Sequence, residues 1–339
     1  MSRSIDRRRT MAESVTSPTS SRTFGGRWDL VRPIGEGGMA TVYEARHRVT
    51  GQRAALKVSQ RTGDDESRAR FLREARLASS IGHEGIAQVY DADVDSETGE
   101  LFIAMELLEG ITLRRALDEG RSAAALVRAL RAVLSPLGLA HELGIVHRDL
   151  KPENVFLCEP EGEAPYRPLA PRGPVKLLDF GIARSEACGN LTQTGATMGT
   201  PHYMSPEQAQ DARAVGPPSD VWAMGVMLYE VLAGEPPFVR SSLHAVAAAI
   251  CTQPHRSLLE RGVPVDPALS ELVDRCLQKQ PEHRPQDALA LLRELDAVLG
   301  QTSLPPGGPS PPPSAARSRW AVRFRAVPGA GRRDESGVQ

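Results

Sequence analysis

The octapeptide His147-Arg148-Asp149-Leu150-Lys151-Pro152-Glu153-Asn154 places an aspartate, a lysine and an asparagine close together, and a second aspartate follows in Asp179-Phe180-Gly181. That set suits phosphoryl transfer. An aspartate can receive or orient a hydroxyl proton. A lysine can neutralise phosphate charge, and an amide and a carboxylate offer the oxygen ligands that Mg²⁺ prefers. The transferred group makes few covalent demands, so positioning and charge neutralisation carry most of the chemistry. The competing reading makes both motifs turn residues of unrelated loops. Their joint presence in this order argues against it.

Upstream, Ile34-Gly35-Glu36-Gly37-Gly38-Met39-Ala40-Thr41-Val42 forms a glycine-rich loop. Glycines let the backbone approach phosphate oxygens and adopt φ > 0 without a Cβ clash. Alone, such a loop also marks dinucleotide-binding folds, where it opens a helix. Here Thr41-Val42-Tyr43-Glu44-Ala45 is β-branched and strand-like, which favours a hairpin loop. Lys57 ends the semi-apolar run Ala54-Ala55-Leu56. Most lysines lie on the surface, but at the end of such a strand this one can point into a cleft, where a buried ammonium needs a counter-charge.

These groups must be held by a scaffold. Residues 28–34, 41–47 and 52–59 are rich in strand formers, the last two joined around Thr50-Gly51. Residues 66–80 are helical in composition. Two more strands, 87–94 and 101–107, flank the turn-like Asp95-Ser96-Glu97-Thr98-Gly99. Beyond them helices dominate. Leu126, Leu130, Val133, Leu134 and Leu137 share a helical face, as do Leu269, Leu272, Val273, Cys276 and Leu277. Pro136 inside the first pattern is expected to kink that helix.

Order and wording of these motifs resemble the protein kinase family, in particular bacterial members of its serine/threonine branch, over roughly residues 28–299. The resemblance implies an α+β fold of two lobes, a small strand-rich lobe with one helix and a larger helical lobe. It implies ATP and Mg²⁺ as cofactors and protein substrates. Residues 34–42 would then cover the phosphates, with Lys57 facing the α- and β-phosphates and Glu74 as its partner, since Glu66 lies too near the helix start. Met105 would control the back pocket, and Glu106 C=O and Leu108 N–H would meet the adenine edge. Val42, Ala55 and Phe156 would sandwich the ring, although core packing explains these apolar residues equally well. Asp149 would be the general base, Lys151 the γ-phosphate cation, and Asn154 and Asp179 the metal ligands.

Further blocks extend the resemblance. Ser205-Pro206-Glu207 is a variant of the family's Ala-Pro-Glu, and Glu207 is expected to pair with Arg284 in Pro281-Glu282-His283-Arg284-Pro285. Asp220 is expected to brace the catalytic loop. Residues 185–205 read as an activation loop in which Thr192 and Thr194 match a doubly phosphorylated pair. Thr197 is a weaker candidate, and Thr200 fits a contact to Asp149 and Lys151 better than it fits phosphorylation. The same segment can also be a plain polar loop. Ala40 stands where the family has a third glycine, and residues 159–168 are an insertion. Two alternatives remain at this point, a catalytically silent scaffold of the same fold and a kinase of small molecules. The intact Lys57, Glu74, Asp149, Asn154 and Asp179 argue against the first, and the activation segment against the second.

Composition adds bounds. The chain has 339 residues, 40 % of them apolar, and a formal net charge of −1. That charge argues against whole-protein attraction to nucleic acid or to an anionic membrane. Cys158, Cys188, Cys251 and Cys276 are widely spaced and suggest neither a zinc site nor a disulfide framework. No apolar run of roughly eighteen residues is evident, nor a secretory signal, so a cytoplasmic protein is expected. Residues 1–26 read as a disordered segment, 27–300 as the kinase domain, 301–314 as a Pro/Gly linker and 315–339 as a basic disordered tail. The tail's arginines could dock an acidic partner or an anionic membrane, but a solvated tail is the commoner case and membrane association is not expected. A transient dimer would serve phosphorylation in trans.

Overall fold

The computed structural model describes residues 22–36, 40–59, 65–158, 175–180, 201–210 and 214–300, without the side chains of residues 65–67, 70 and 74. The expectations for Gly37, Gly38, Met39, the Glu74 side chain, residues 159–168, Thr192, Thr194, Thr197, Thr200 and the segments 301–314 and 315–339 lie outside this set.

Segments rich in strand formers build the first lobe. Strands β1 (Thr23–Phe24), β2 (Trp28–Glu36), β3 (Ala40–His47) and β4 (Arg53–Ser59) precede helix α1 (Asp65–Ser80), and β5 (Val89–Val94) and β6 (Leu101–Met105) follow. All neighbours pair antiparallel in the order β1-β2-β3-β4-β6-β5. The expected turns form where glycine is needed. Gly51 and Gly99 take φ of 71° and 72°, positive values that cost a Cβ-bearing residue. The expected domain start at residue 27 is corrected. Phe24 is fully buried against Phe102, so the folded lobe already includes β1. One aromatic residue in a polar stretch carried too little pattern to be read as a strand.

The two edges of this sheet meet. Arg27 donates from Nε and Nη2 to the two oxygens of Asp91 on β5 (2.6 and 3.0 Å), and Trp28 Nε1 donates to Asp91 Oδ2 (2.8 Å). Gly25 N–H donates to Asp95 (2.9 Å). The sheet curls around Phe24, Trp28, Leu56, Val58 and Phe102, and side chains rather than backbone close the curl.

The second lobe has its own core. It contains β7 (Gly110–Thr112), α2 (Leu113–Asp118), α3 (Ala123–Glu142), β8 (Val155–Cys158) and β9 (Val175–Leu177). Then come α4 (Pro206–Gln210), α5 (Pro217–Ala233), α6 (Leu243–Thr252), α7 (Pro267–Cys276) and α8 (Ala288–Leu299). Strands β7, β8 and β9 form a small antiparallel sheet. Thr112, Ser122, Ser242, Asp266 and Asp287 cap the helices that follow them by accepting a backbone N–H. The two apolar faces read from sequence are buried throughout. Helix α3 runs on through Pro136, whose ring packs against Gly85. It is the helix, among the described residues, with the length and hydropathy to cross a membrane, and most of it lies inside the core.

The expected α+β, two-lobed architecture is therefore observed. Helix α5 runs through the middle of the large lobe, with all but its ends buried. At Gly225 a Cβ would lie 2.5 Å from Cys276 Cβ on α7, an atom that cannot swing away. Gly225→Ala is expected to destabilise the protein by about 1–3 kcal/mol, overpacking outweighing alanine's helix preference. A denaturant midpoint equal to wild type would refute that packing.

Candidate active site

The loop between α3 and β8 carries Asp149, and Asp220 fixes it. Asp220 lies in the first turn of α5, 1 % exposed, and accepts His147 N–H (2.7 Å), Arg148 N–H (2.9 Å) and His141 Nε2–H (2.9 Å). His141 Nδ1 in turn accepts Ala288 N–H (3.2 Å), which places the ring proton on Nε2. A buried carboxylate with such donors is a rigid brace. The expectation for Asp220 is met. His141 gave no sequence signal, because it sits in a helix whose pattern reads only as core.

Arg148 has φ +67° and Asp179 φ +48°, the non-glycine residues with left-handed backbones among those described. Such conformations cost of order 1–3 kcal/mol each and persist only where surrounding contacts over-determine them. Arg148 immediately precedes Asp149, and Asp179 is itself one of the expected site residues. Lys151 Nζ lies 2.7 Å from Asp149 Oδ2, and Asn154 Nδ2 donates to Asp149 O (2.8 Å) and Oδ2 (3.3 Å). The sequence-predicted trio is therefore one hydrogen-bonded cluster. With its nitrogen turned to Asp149, Asn154 keeps its amide oxygen for another partner.

Asp179 approaches this cluster from the residues that follow β9. His147 Nε2 donates to Leu178 O (2.9 Å), and its ring packs on the buried Phe180 at 4.7 Å between centroids. Lys57 on β4 reaches Asp179 from the other lobe, with Nζ 2.8 Å from Oδ1. Burial pushes the Asp179 carboxyl up, but the charge and hydrogen bond of Lys57 outweigh that and hold it below the ordinary carboxylate range. Lys57 thus reaches across to Asp179. Its described carboxylate neighbour is Asp179.

The residues expected to face the nucleotide fall at these places in the sheets. Val42 pairs with Gly35 on β2 and with Lys57 on β4, and Ala55 pairs with Met105 at the end of β6. Phe156 on β8 is buried between Thr112 and Lys176 in the small sheet. Ile34, Gly35 and Glu36 end β2, and Ala40 and Thr41 begin β3. Glu106 and Leu108 lie in the connection between β6 and β7. Sequence reasoning missed what holds that connection. Glu106 N–H donates to Gln88 O (2.8 Å), and Lys176 Nζ donates to Glu106 Oε2 (2.7 Å).

Glu207 and Arg284 pair as expected, bidentately at 2.7 and 2.9 Å. A second buried network was not foreseen. Glu230 on α5 accepts Arg114 Nη1–H and Tyr203 O–H, each at 2.6 Å, and so ties α2 and α5 to residues 201–203. Burial and the neighbouring Glu230 hold the Tyr203 hydroxyl well above its ordinary value.

Residues 28–294 match the protein kinase domain family. The chain is 36 % identical over 323 residues to the serine/threonine-protein kinase PknL of Mycobacterium tuberculosis, covering 93 % of this chain and 77 % of the relative. It is 37 % identical over 279 residues to the serine/threonine-protein kinase Pkn1 of Myxococcus xanthus, covering 81 % of this chain but 39 % of that longer protein. Among solved structures, the PknI kinase domain of Mycobacterium tuberculosis superposes with a TM-score of 0.62 at 26 % identity, over 83 % of this chain and 99 % of that one.

Proposed function

The chain belongs to the protein kinase family and is an ATP-dependent serine/threonine protein kinase, and from that premise we propose the role of each group at the site. The observation that carries the reading is the cluster of Asp149, Lys151 and Asn154 on a loop braced by Asp220. Asp149 takes or orients the proton of the incoming hydroxyl. Lys151, already beside it, supplies positive charge where the transferred phosphoryl group develops negative charge. Lys57 orients the α- and β-phosphates from the other lobe.

Asn154 and Asp179 fit Mg²⁺ as ligands. Both offer hard oxygen donors, the amide oxygen of Asn154 faces away from its hydrogen bonds to Asp149, and phosphate oxygens would complete the shell. When bound, the ion neutralises charge on the β- and γ-phosphates. Residues 34–42, with Val42, Ala55, Glu106, Leu108 and Phe156, form the ATP-facing surface. Glu74 on α1 is proposed as the second carboxylate for Lys57.

The acceptors are serine or threonine hydroxyls of proteins in a cytoplasmic setting. Two copies of the chain meet transiently to phosphorylate Thr192 and Thr194 in trans. A phosphate there adds a charge of about −1.5 to −2 and strong acceptor oxygens, enough to order a loop against Arg148. The double variant Thr192→Ala/Thr194→Ala is expected to lose activity several-fold toward an added protein substrate. Phosphopeptide mapping of the purified wild type should find phosphate at both threonines. A double variant as active as wild type removes the switch and leaves the kinase assignment standing.

A further inference from the structure

We propose that Gln208 is a positioning residue for phosphoryl transfer, its side-chain amide holding the peptide that joins Arg148 to Asp149. This inference rests on the reading of Asp149 as the group that receives the hydroxyl proton. Arg148 is held in its left-handed conformation from two sides. Its N–H donates to Asp220 on α5 (2.9 Å), and its carbonyl accepts from Gln208 Nε2 on α4 (2.7 Å). That carbonyl belongs to the same peptide plane as Asp149 N–H, which donates to His147 O (2.9 Å). Gln208 therefore grips the plane that immediately precedes the catalytic carboxylate.

The same side chain does a second job, and comparing the two jobs explains why the residue is glutamine. Gln208 Oε1 accepts Ser205 N–H (3.0 Å), and Ser205 Oγ accepts Gln208 N–H (3.3 Å). This is a reciprocal capping box at the start of α4. Glutamate serves such a box at least as well, because a negative charge is favoured at a helix N-terminus. What glutamate lacks is a donor. With Oε1 committed to Ser205 N–H, the remaining NH₂ faces Arg148 O, where a carboxylate would set acceptor against acceptor. The choice of glutamine thus serves the catalytic loop and not the helix.

Gln208→Glu separates these two jobs. The capping box survives, so Gln208→Glu should melt clearly above Gln208→Ala and below wild type only by the one contact to Arg148 O, and KM for ATP should not move because no nucleotide-facing residue is touched. Loss of this part-buried hydrogen bond next to Asp149 should lower kcat about tenfold. Gln208→Ala, which loses both jobs, should show a similar kcat loss and a lower melting temperature. Rates are read well below the melting point of both variants, with Asp149→Asn as a control. Wild-type kcat in Gln208→Glu overturns the proposal, and so does a Gln208→Glu protein that melts together with Gln208→Ala, which would assign the amide to folding alone. An active Asp149→Asn protein would instead remove the reading of Asp149 on which the proposal rests.

Discussion

Asp179→Asn is expected to abolish phosphoryl transfer from Mg²⁺-ATP, lowering the rate by at least about 10²–10³-fold, as removal of one preorganised charge-stabilising group typically does. Lys57→Met should do the same. Neither change should unfold the protein. The Lys57–Asp179 pair is part-exposed, with side chains 23 % and 35 % accessible, so its net contribution to stability is about 1 kcal/mol or less. Asparagine also tolerates the left-handed backbone of position 179 as well as aspartate does. The loss therefore falls on chemistry. Radiolabelled ATP with a protein acceptor, alongside a thermal melt, reads both quantities. Near-normal phosphorylation by either variant would show the site to be wrongly assigned.

Arg284→Met is expected to have the largest effect on stability, about 3–5 kcal/mol, because it strands a buried charge. Arg284 is 3 % exposed and uses every N–H it owns. Nε donates to Gln278 O, Nη1 to Glu207 and Pro218 O, and Nη2 to Glu207 and Lys279 O. Its guanidinium also lies over the Trp222 ring at 5.0 Å. No methionine can satisfy these acceptors, and Glu207 would keep only Ser219 and the helix start as partners. Urea unfolding of both proteins gives the difference directly.

The pH dependence of that difference has a definite sign. Burial pushes the Glu207 carboxyl up, but the hydrogen bonds and charge of Arg284 outweigh it and hold it below its ordinary value of 4.5. The pair's contribution is therefore present above that value and lost as pH falls through the depressed one. In Arg284→Met the burial is opposed only by the hydrogen bonds from Ser219 and the helix start, and protonation relieves the stranded carboxylate instead. The stability gap should narrow on acidification. A gap that is constant with pH would place the loss in packing rather than in the ion pair.

Local chemistry was largely legible in the chain itself. Asp149, Lys151 and Asn154 sit on one short loop, so their proximity is a property of adjacent residues, and the structure only refines it. The first two long strands, read to within two residues of their ends, the turns at Gly51 and Gly99, and the apolar faces of α3 and α7 likewise follow from short-range pattern. Periodicity and turn chemistry act within a few residues, which is why they can be read there.

Other features depend on packing between distant elements. Phe24 belongs to the small-lobe core because the sheet curls until Arg27 meets Asp91, which no local pattern encodes. His141, Lys176 and Glu230 look like ordinary helix or strand residues until the fold sets them beside Asp220, Glu106 and Arg114. Gln208 is the sharpest case. In sequence it completes a capping box that glutamate could complete equally well, and only the approach of Arg148's carbonyl gives its amide nitrogen a partner. Which chemical groups this protein has, and how each is locally presented, can be read from the order of its residues. Tertiary structure decided which of them brace the others, because buried polar atoms must find partners wherever packing happens to place them.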